Sequence, residues 1–111
     1  MQPTTAVQAL SALAQENRLA IFRLLVQAGP EGLVVGQIAE ELAIPAATLS
    51  FHLKTLAQGG LVTSRQEGRF VRYVALFDAM HGLLNYLSEN CCGSDAAVCA
   101  PDSSTKVKAY P

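Results

Sequence analysis

The chain has 111 residues, a length that suits one domain, since domains commonly hold about 50 to 250 residues. Half of the residues are hydrophobic and 15% are charged, a composition that excludes a wholly disordered chain. The formal net charge is -1, which excludes a global positive field toward nucleic acid, so any DNA-binding surface has to be a local patch.

The sequence contains no signal for a membrane or for export. No apolar run approaches the roughly 18 to 20 residues of a membrane-spanning helix, and no basic segment precedes a long apolar stretch at the N-terminus. We therefore expect a cytoplasmic protein that contacts no membrane. In that reducing compartment the three cysteines are expected to be thiols, and their odd number argues against a closed set of disulfides.

Apolar side chains at helical spacing in residues 5–28 predict two helices. Asn17 is the predicted N-cap between them, because its short side chain can accept hydrogen bonds from the first amides of the second helix. Gly29-Pro30 ends that helix, since proline disfavours helical geometry in the residue before it.

A helix, a tight turn and a second helix are predicted next. The segment from Val34 to Leu42 has its apolar residues on one face, Ile44-Pro45 forms the turn, and the second helix covers residues 46–58. The leucines of this second helix point inward: Leu49, Leu53 and Leu56. The outward face is small and polar near its start, as a helix that enters a DNA groove requires, and comprises Ala47, Ser50, Phe51, Lys54 and Thr55.

Two strand-like runs, residues 61–66 and 69–76, surround Glu67-Gly68 and predict a β-hairpin. Basic residues are concentrated in this part of the chain. Residues 48–73 carry a surplus of three positive charges, from Lys54, Arg65, Arg69 and Arg72 against Glu67. This surplus is the local positive patch that the overall charge does not reveal.

A last helix is predicted from Asp78, as its N-cap, through Asn90. Its apolar stripe comprises Met80, Leu83, Leu84 and Leu87. Beyond Gly93 the residues are small or polar and show no periodicity, which predicts a flexible C-terminal tail.

This order of elements is that of a winged helix-turn-helix, and the motifs resemble the ArsR/SmtB family of metal-responsive repressors. The matching runs are residues 35–45, 48–56, 60–62 and 65–69, and residues 13–19 fit the early helices of the family. The resemblance implies a mainly α fold with a small β-hairpin and a homodimer with the first and last helices at its interface. A twofold dimer presents two recognition helices to DNA half-sites about 34 to 36 Å apart, or a multiple of that distance.

The resemblance also implies which side chains meet DNA. Ser50 and Thr48 can contact base edges or phosphates, and Lys54 can neutralise a phosphate; Thr48 suits the start of a helix equally well. Arg69 at the hairpin tip is expected to reach the DNA backbone or minor groove, with Arg72 as the weaker candidate. The alternative for each arginine is a solvated surface charge.

Two further residues of the recognition helix have two readings each. His52 lies beside the buried stripe, so a partly buried structural histidine is preferred over a base contact. Phe51 stands where the family often has a polar group, and its ring can contact a thymine methyl or pack on the sugar backbone.

The three cysteines cluster near the C-terminus, with Cys91-Cys92 at the end of the last helix and Cys99 in the tail. Thiolates suit a soft, thiophilic ion, and trivalent arsenic takes three sulfur ligands in a pyramid. We therefore predict that As(III) binds these three cysteines and releases the repressor from DNA, with no organic cofactor. The alternative is three incidental thiols at an exposed C-terminus.

The chain departs from its relatives in one respect. Many arsenic-responsive members carry Cys-Val-Cys in the helix before the turn, and residues 34–42 contain no cysteine; the vicinal C-terminal cysteines resemble those of a subgroup. Antimony, cadmium, lead, zinc or thiol oxidation is an alternative signal, and Asp78 with His81 gives only a faint echo of the family's zinc ligands.

An enzyme is not expected, because no nucleophile, base and orienting acid recur at a recognisable spacing. The sequence thus predicts residues 1–92 as a DNA-binding and dimerisation domain and residues 93–111 as a flexible tail that contributes a metalloid ligand.

Overall fold

The computed structural model describes residues 1–94. Its helices are α1 (Pro3–Leu13), α2 (Glu16–Ala28), α3 (Val35–Leu42), α4 (Ala46–Gln58) and α5 (Phe77–Ser88), and its strands are β1 (Leu33–Val34), β2 (Val62–Glu67) and β3 (Phe70–Ala75). Short 3-10 segments cover Gly29–Glu31 and Cys91–Ser94. This order confirms the mainly α class and the winged helix-turn-helix architecture. Within the described part, no helix is both long and apolar enough to cross a membrane.

The corner between α1 and α2 is closed by residues that sequence reasoning did not identify. The side chain of Gln15, not Asn17, caps α2 by accepting from the backbone N–H of Arg18 at 2.9 Å. The guanidinium of Arg18 then donates to the carbonyl of Ala12 at 2.7 Å, which satisfies a free acceptor at the end of α1. The Asn17 prediction was wrong because α2 begins at Glu16, so Asn17 lies inside its first turn.

The core is built around α4. The three inward leucines have no solvent exposure, as the spacing predicted, and they lie among Ile21 and Leu25 of α2 and Ile38 of α3: Leu49, Leu53 and Leu56. Both ends of α4 are where the sequence placed them, after Pro45 and before Gly59.

A stripe of small residues lets α1 approach α4 closely. Ala6, Ala9 and Ala12 are all buried. Opposite them, a Cβ added to Gly59 would lie 2.6 Å from the Cβ of Ala12, a distance that real Cβ atoms do not reach. The two helices therefore meet almost backbone to backbone at this point.

The hairpin is part of a three-stranded antiparallel sheet in the order β1-β3-β2. Strand β1 pairs Leu33 with Tyr73 and was not predicted, because two residues carry no readable alternation and the pairing is distant in sequence. Gly32 precedes β1 with φ +59°, and a Cβ there would overlap the carbonyl oxygen of Tyr73. Only glycine fits this close approach.

Helix α5 begins and ends slightly earlier than predicted. Leu76 takes the N-cap position, held by a backbone hydrogen bond of 2.8 Å from its N–H to the carbonyl of Leu61, and Asp78 lies in the first turn. Asp78 is therefore not the cap, although a carboxylate there still suits the positive end of the helix dipole. The helix ends at Ser88 rather than Asn90, which adopts φ +56°.

Candidate nucleic-acid interface and cysteine cluster

The outward face of α4 is exposed as predicted. Its exposed members are Ala47, Thr48, Ser50, Phe51 and Lys54. Thr55 is half-buried, and its hydroxyl donates to the carbonyl of Phe51 at 3.1 Å. Apart from Phe51, these side chains are small or polar and include one cation, so the face is chemically suited to enter a DNA groove.

Thr48 does not cap α4. Pro45 occupies the N-cap position, where no side-chain capping bond forms, and Thr48 is the third residue of the helix. Its hydroxyl has no hydrogen-bond partner within residues 1–94. The structure thus leaves this hydroxyl available to an outside partner.

His52 belongs to the core side of α4. It is 8% exposed, and its Nδ1 has no hydrogen-bond partner in the described part of the chain. Its ring lies 5.9 Å from that of Phe51, centroid to centroid. This burial agrees with a partly buried structural histidine, and a base contact by His52 stays a prediction.

Arg69 lies at the tip of the wing, the name used below for the β2–β3 hairpin. The register pairs Glu67 with Phe70, so Gly68 and Arg69 form a two-residue turn. Gly68 has φ +63°, a value that suits glycine in such turns. Arg69 is exposed and, like Lys54, has no ion-pair partner among residues 1–94.

The other two arginines of the wing, Arg65 and Arg72, form ion pairs within the chain. The register places Arg65 directly opposite Arg72, an arrangement that repels. Glu67 lies between them, and its carboxylate accepts from each guanidinium at 3.0 Å. The hydrogen bond from Arg72, followed by the other contacts with the two arginines, lowers the pKa of Glu67 below its usual value despite some desolvation.

Arg72 is therefore less available to an outside partner than Arg69, and its DNA contact stays a prediction. Besides Glu67, it donates to the carbonyl of Glu31 at 3.0 Å, which joins the wing to the segment before β1. The sequence count treated all four cations of the patch as equivalent. Glu67 was missed as the residue that organises the wing, although the hairpin register, once set by the Gly68 turn, would have placed it between the two arginines.

Cys91 and Cys92 are both exposed just beyond α5, with their sulfurs 3.7 Å apart. Cys92 is a free thiol, whereas Cys91 is disulfide-bonded, so the expectation of three thiols does not hold for Cys91 in this state. The predicted third ligand, Cys99, lies outside the described residues. Within residues 1–94 no three histidine, cysteine or carboxylate side chains come together as a metal-binding group.

A separate surface on α1 and α5 is apolar. Helices α1 and α5 contact each other, and each leaves two large apolar side chains exposed by 41 to 61%: Val7 and Leu10 on α1, and Leu84 and Leu87 on α5. These four residues are called the apolar face below. They include the outer half of the stripe that the sequence predicted on the last helix, whereas Leu83 of that stripe is buried.

The chain is similar to known regulators over most of the described part. Residues 13–65 match the family model described as a helix-turn-helix domain. The arsenical resistance operon repressor of Bacillus subtilis (strain 168) is 33% identical over 85 residues, which cover 77% of each chain.

Two solved structures share the fold. HlyU from Vibrio cholerae N16961 is 35% identical, with a TM-score of 0.60 over 78% of this chain and 97% of that one. A homodimeric winged helix-turn-helix DNA-binding domain from Mycobacterium bovis, described as a possible ArsR-family regulator, is 29% identical, with a TM-score of 0.64 over 78% of this chain and 81% of that one.

Proposed function

The chain belongs to the ArsR/SmtB family of winged-helix transcriptional regulators, and from this premise we propose that it is an arsenic-responsive repressor in the cytoplasm. In this proposal residues 1–92 bind operator DNA as a homodimer. As(III) captured by Cys91, Cys92 and Cys99 releases the DNA.

The observation that carries the DNA-binding part is the position of the two free cations. Lys54 on the outward face of α4 and Arg69 at the wing tip are exposed and lack ion-pair partners in the described part, while Arg65 and Arg72 share Glu67. Recognition helix and wing thus each offer one uncompensated charge to a phosphate. Ser50 and Thr48 add hydroxyl groups that can hydrogen-bond to base edges.

The apolar face supports a homodimer through α1 and α5. Exposed leucines and a valine on two adjacent helices form the kind of surface that a second copy buries. The Mycobacterium bovis domain is homodimeric. A twofold axis at this face presents two copies of α4 to successive major grooves, about 34 to 36 Å apart or a multiple of that distance.

The cysteine geometry is compatible with a thiophilic ion. Two thiolates bound to one tetrahedral zinc ion at about 2.3 Å are about 3.75 Å apart, close to the observed 3.7 Å; the narrower angles of a pyramidal As(III) centre would bring the two sulfurs slightly closer together. As(III) would supply soft bonds to sulfur; the protein supplies two exposed sulfurs at a chain segment that leaves α5, and Cys99 supplies the third. Because Cys91 is disulfide-bonded, its sulfur must be reduced before it can bind an ion.

The cysteines lie close to the apolar face along the chain. Cys91 follows Leu87 by four residues, and α5 ends between them at Ser88. Tethering the tail at Cys91 therefore changes the end of the helix that carries half of the apolar face. A change in the dimer contact alters the separation of the two copies of α4, which couples the ligand to DNA affinity.

Thiol oxidation is the second candidate signal, and one observation favours it. The same cysteine that is proposed as an ion ligand is disulfide-bonded in this structure, next to a free, exposed thiol. Oxidation and arsenic would then act on the same residues with different chemistry, and antimony, cadmium, lead and zinc are further ions for the same sulfurs.

The test is fluorescence anisotropy of labelled DNA from the protein's own promoter, in the presence of reductant and at fixed salt. Arsenite is expected to release the DNA, and Cys92→Ser to bind DNA normally but to lose the response. Ser88→Ala is the matched control, because Ser88 lies near the cysteines but bonds only to the carbonyls of α5.

Each result has a distinct meaning. Release by cadmium, lead, antimony or zinc but not by arsenite would keep the repressor and replace the inducer. Release by peroxide without any ion would favour oxidation. Unchanged arsenite response in Cys92→Ser would remove the cysteine site, and salt-insensitive, weak binding would remove the DNA-binding role itself.

A further inference from the structure

Phe51 is the most outward residue of α4. It follows Leu49 by two positions, about 200° around the helix, and so lies nearly opposite the buried leucine stripe. Its side chain is 65% exposed, the highest value among the exposed large hydrophobic residues of the described part. A large apolar ring therefore stands at the centre of the surface that the proposed function turns toward DNA.

The residues around Phe51 leave its ring accessible and mark the surface as polar. Ala47, one turn earlier, is too small to cover the ring, and Ser50 and Lys54 beside it are exposed. Among residues 1–94 its one aromatic contact is with the tilted ring of His52, 5.9 Å away between centroids. A single apolar side chain among a hydroxyl and a cation does not form the contiguous patch that a protein partner requires.

The chemistry of the ring limits what it can recognise in a groove. Phenylalanine neither donates nor accepts hydrogen bonds, so it cannot read the donor and acceptor pattern of the base edges. The one apolar group that a base pair presents in the major groove is the C5 methyl of thymine. Lys54, three residues further on the same face, can hold the helix against a phosphate while the ring faces the groove floor.

We propose that Phe51 contacts the methyl group of a thymine and makes this chain select thymine at one position of each operator half-site. The inference rests on the proposed DNA-binding function and adds the base to it. It concerns this chain in particular, because Phe51 stands where the family often has a polar group.

The experiment removes the methyl group without changing any hydrogen bond. Duplexes bound by the reduced wild-type protein are first selected from random-sequence DNA, and the consensus is resynthesised with each thymine in turn replaced by deoxyuridine. Dissociation constants are then measured for wild type, Phe51→Ala and Phe70→Ala. Phe70 is the matched control, because it is 58% exposed at the wing rather than on α4.

For wild type and Phe70→Ala, a single deoxyuridine at the contacted thymine of either half-site is expected to weaken binding about fourfold, the factor for one methyl group returned to water, and deoxyuridine at both such thymines about sixteenfold. Phe51→Ala should bind the thymine duplex correspondingly less tightly and show no further loss with deoxyuridine. Circular dichroism should show both variants folded, since both side chains are exposed.

Two outcomes would overturn the inference. An equal deoxyuridine effect in wild type and Phe51→Ala, or none at any thymine, would show that the ring packs on the sugar backbone or away from the DNA. Failure of the wild-type protein to enrich any duplex would overturn the proposed function as well, so the two failures are distinguishable.

Discussion

Two exposed surfaces of this small fold belong to elements that share one hydrophobic core, but their exposed side chains differ in chemistry. Helix α4 and the wing expose hydroxyls and two unpaired cations, Lys54 and Arg69, whereas α1 and α5 expose the aliphatic residues of the apolar face. Glu67 pairs with the remaining two arginines of the wing, so the unpaired charge of the first surface comes from Lys54 and Arg69. A chain with a net charge of -1 can thus present one surface to phosphates and another to a second copy of itself.

The largest effect on stability is expected in the hydrophobic core beneath the two surfaces. Leu53 lies on the inward face of α4 and is fully buried, so Leu53→Ala should lower the free energy of unfolding by about 2 to 5 kcal/mol through lost burial and the cavity it leaves. Chemical denaturation followed by circular dichroism measures this. Ser50→Ala, on the exposed side of the same helix, should change stability by less than about 0.5 kcal/mol, and equal losses would mean that the two faces of α4 are not distinguished as described.

The next largest effect is expected at the apolar face, where a substitution should weaken dimerisation without unfolding the protein. Leu87→Glu places a charge on the surface that the proposed dimer would bury, and we expect the dissociation constant of the dimer to rise about a hundredfold or more. Analytical ultracentrifugation gives the oligomeric state. Leu19→Glu on α2 is the matched control, since Leu19 is 46% exposed but outside the apolar face; if it dissociated the dimer equally, the interface would lie elsewhere.

At the charged surface, substitutions should change the affinity for DNA and its dependence on salt concentration. In the proposed homodimer Lys54→Ala and Arg69→Ala would each remove two phosphate contacts, one per subunit, so each should weaken DNA binding about tenfold or more at low salt and reduce the slope of log affinity against log salt by about 2. Anisotropy titrations at several salt concentrations measure both quantities. Arg23→Ala, which removes an exposed cation from α2, should change neither; a matching loss in Arg23→Ala would spread the DNA surface beyond α4 and the wing.

The smallest effect concerns the pairing inside the wing. The pKa of Glu67 is lowered below 4.5 by its arginine partners, so its contribution to stability is present above pH 4.5 and is lost as the pH falls through the lower, folded-state value. Glu67→Gln should therefore have a slightly lower Tm than wild type from pH 7 to pH 5, and the difference should shrink below pH 4.5. A difference that persisted unchanged at lower pH would show that the ion pairs do not cause it.

The elements that could be predicted from sequence are those with a local signal. The bounds of α4 follow from Ile44-Pro45 before it and Gly59-Gly60 after it, and the spacing of its leucines identifies the buried face. The Gly68 turn similarly places Arg69 at the wing tip. In each case the residues that end the helix or form the turn lie within a few positions of the element.

The features that sequence reasoning missed depend on partners elsewhere in the chain. Gln15 is the local exception, since it caps α2 through Arg18 although glutamine is not a preferred N-cap residue; the β1 pairing joins residues about forty positions apart. The engagement of Arg72 requires the strand register, which brings Glu67 beside it and the carbonyl of Glu31 within 3.0 Å. A local charge count cannot distinguish a paired arginine from a free one.

The contact between Gly59 and Ala12 has a mechanical consequence. Where helices meet through long side chains, rotamer changes can absorb a displacement; here, where a Cβ on Gly59 would already overlap the Cβ of Ala12, there is nothing to yield. Any movement of α1 is therefore transmitted directly to the end of α4. In the proposed dimer, the separation of the two copies of α4 would then depend on Gly59 and Ala12, two of the smallest residues in the chain.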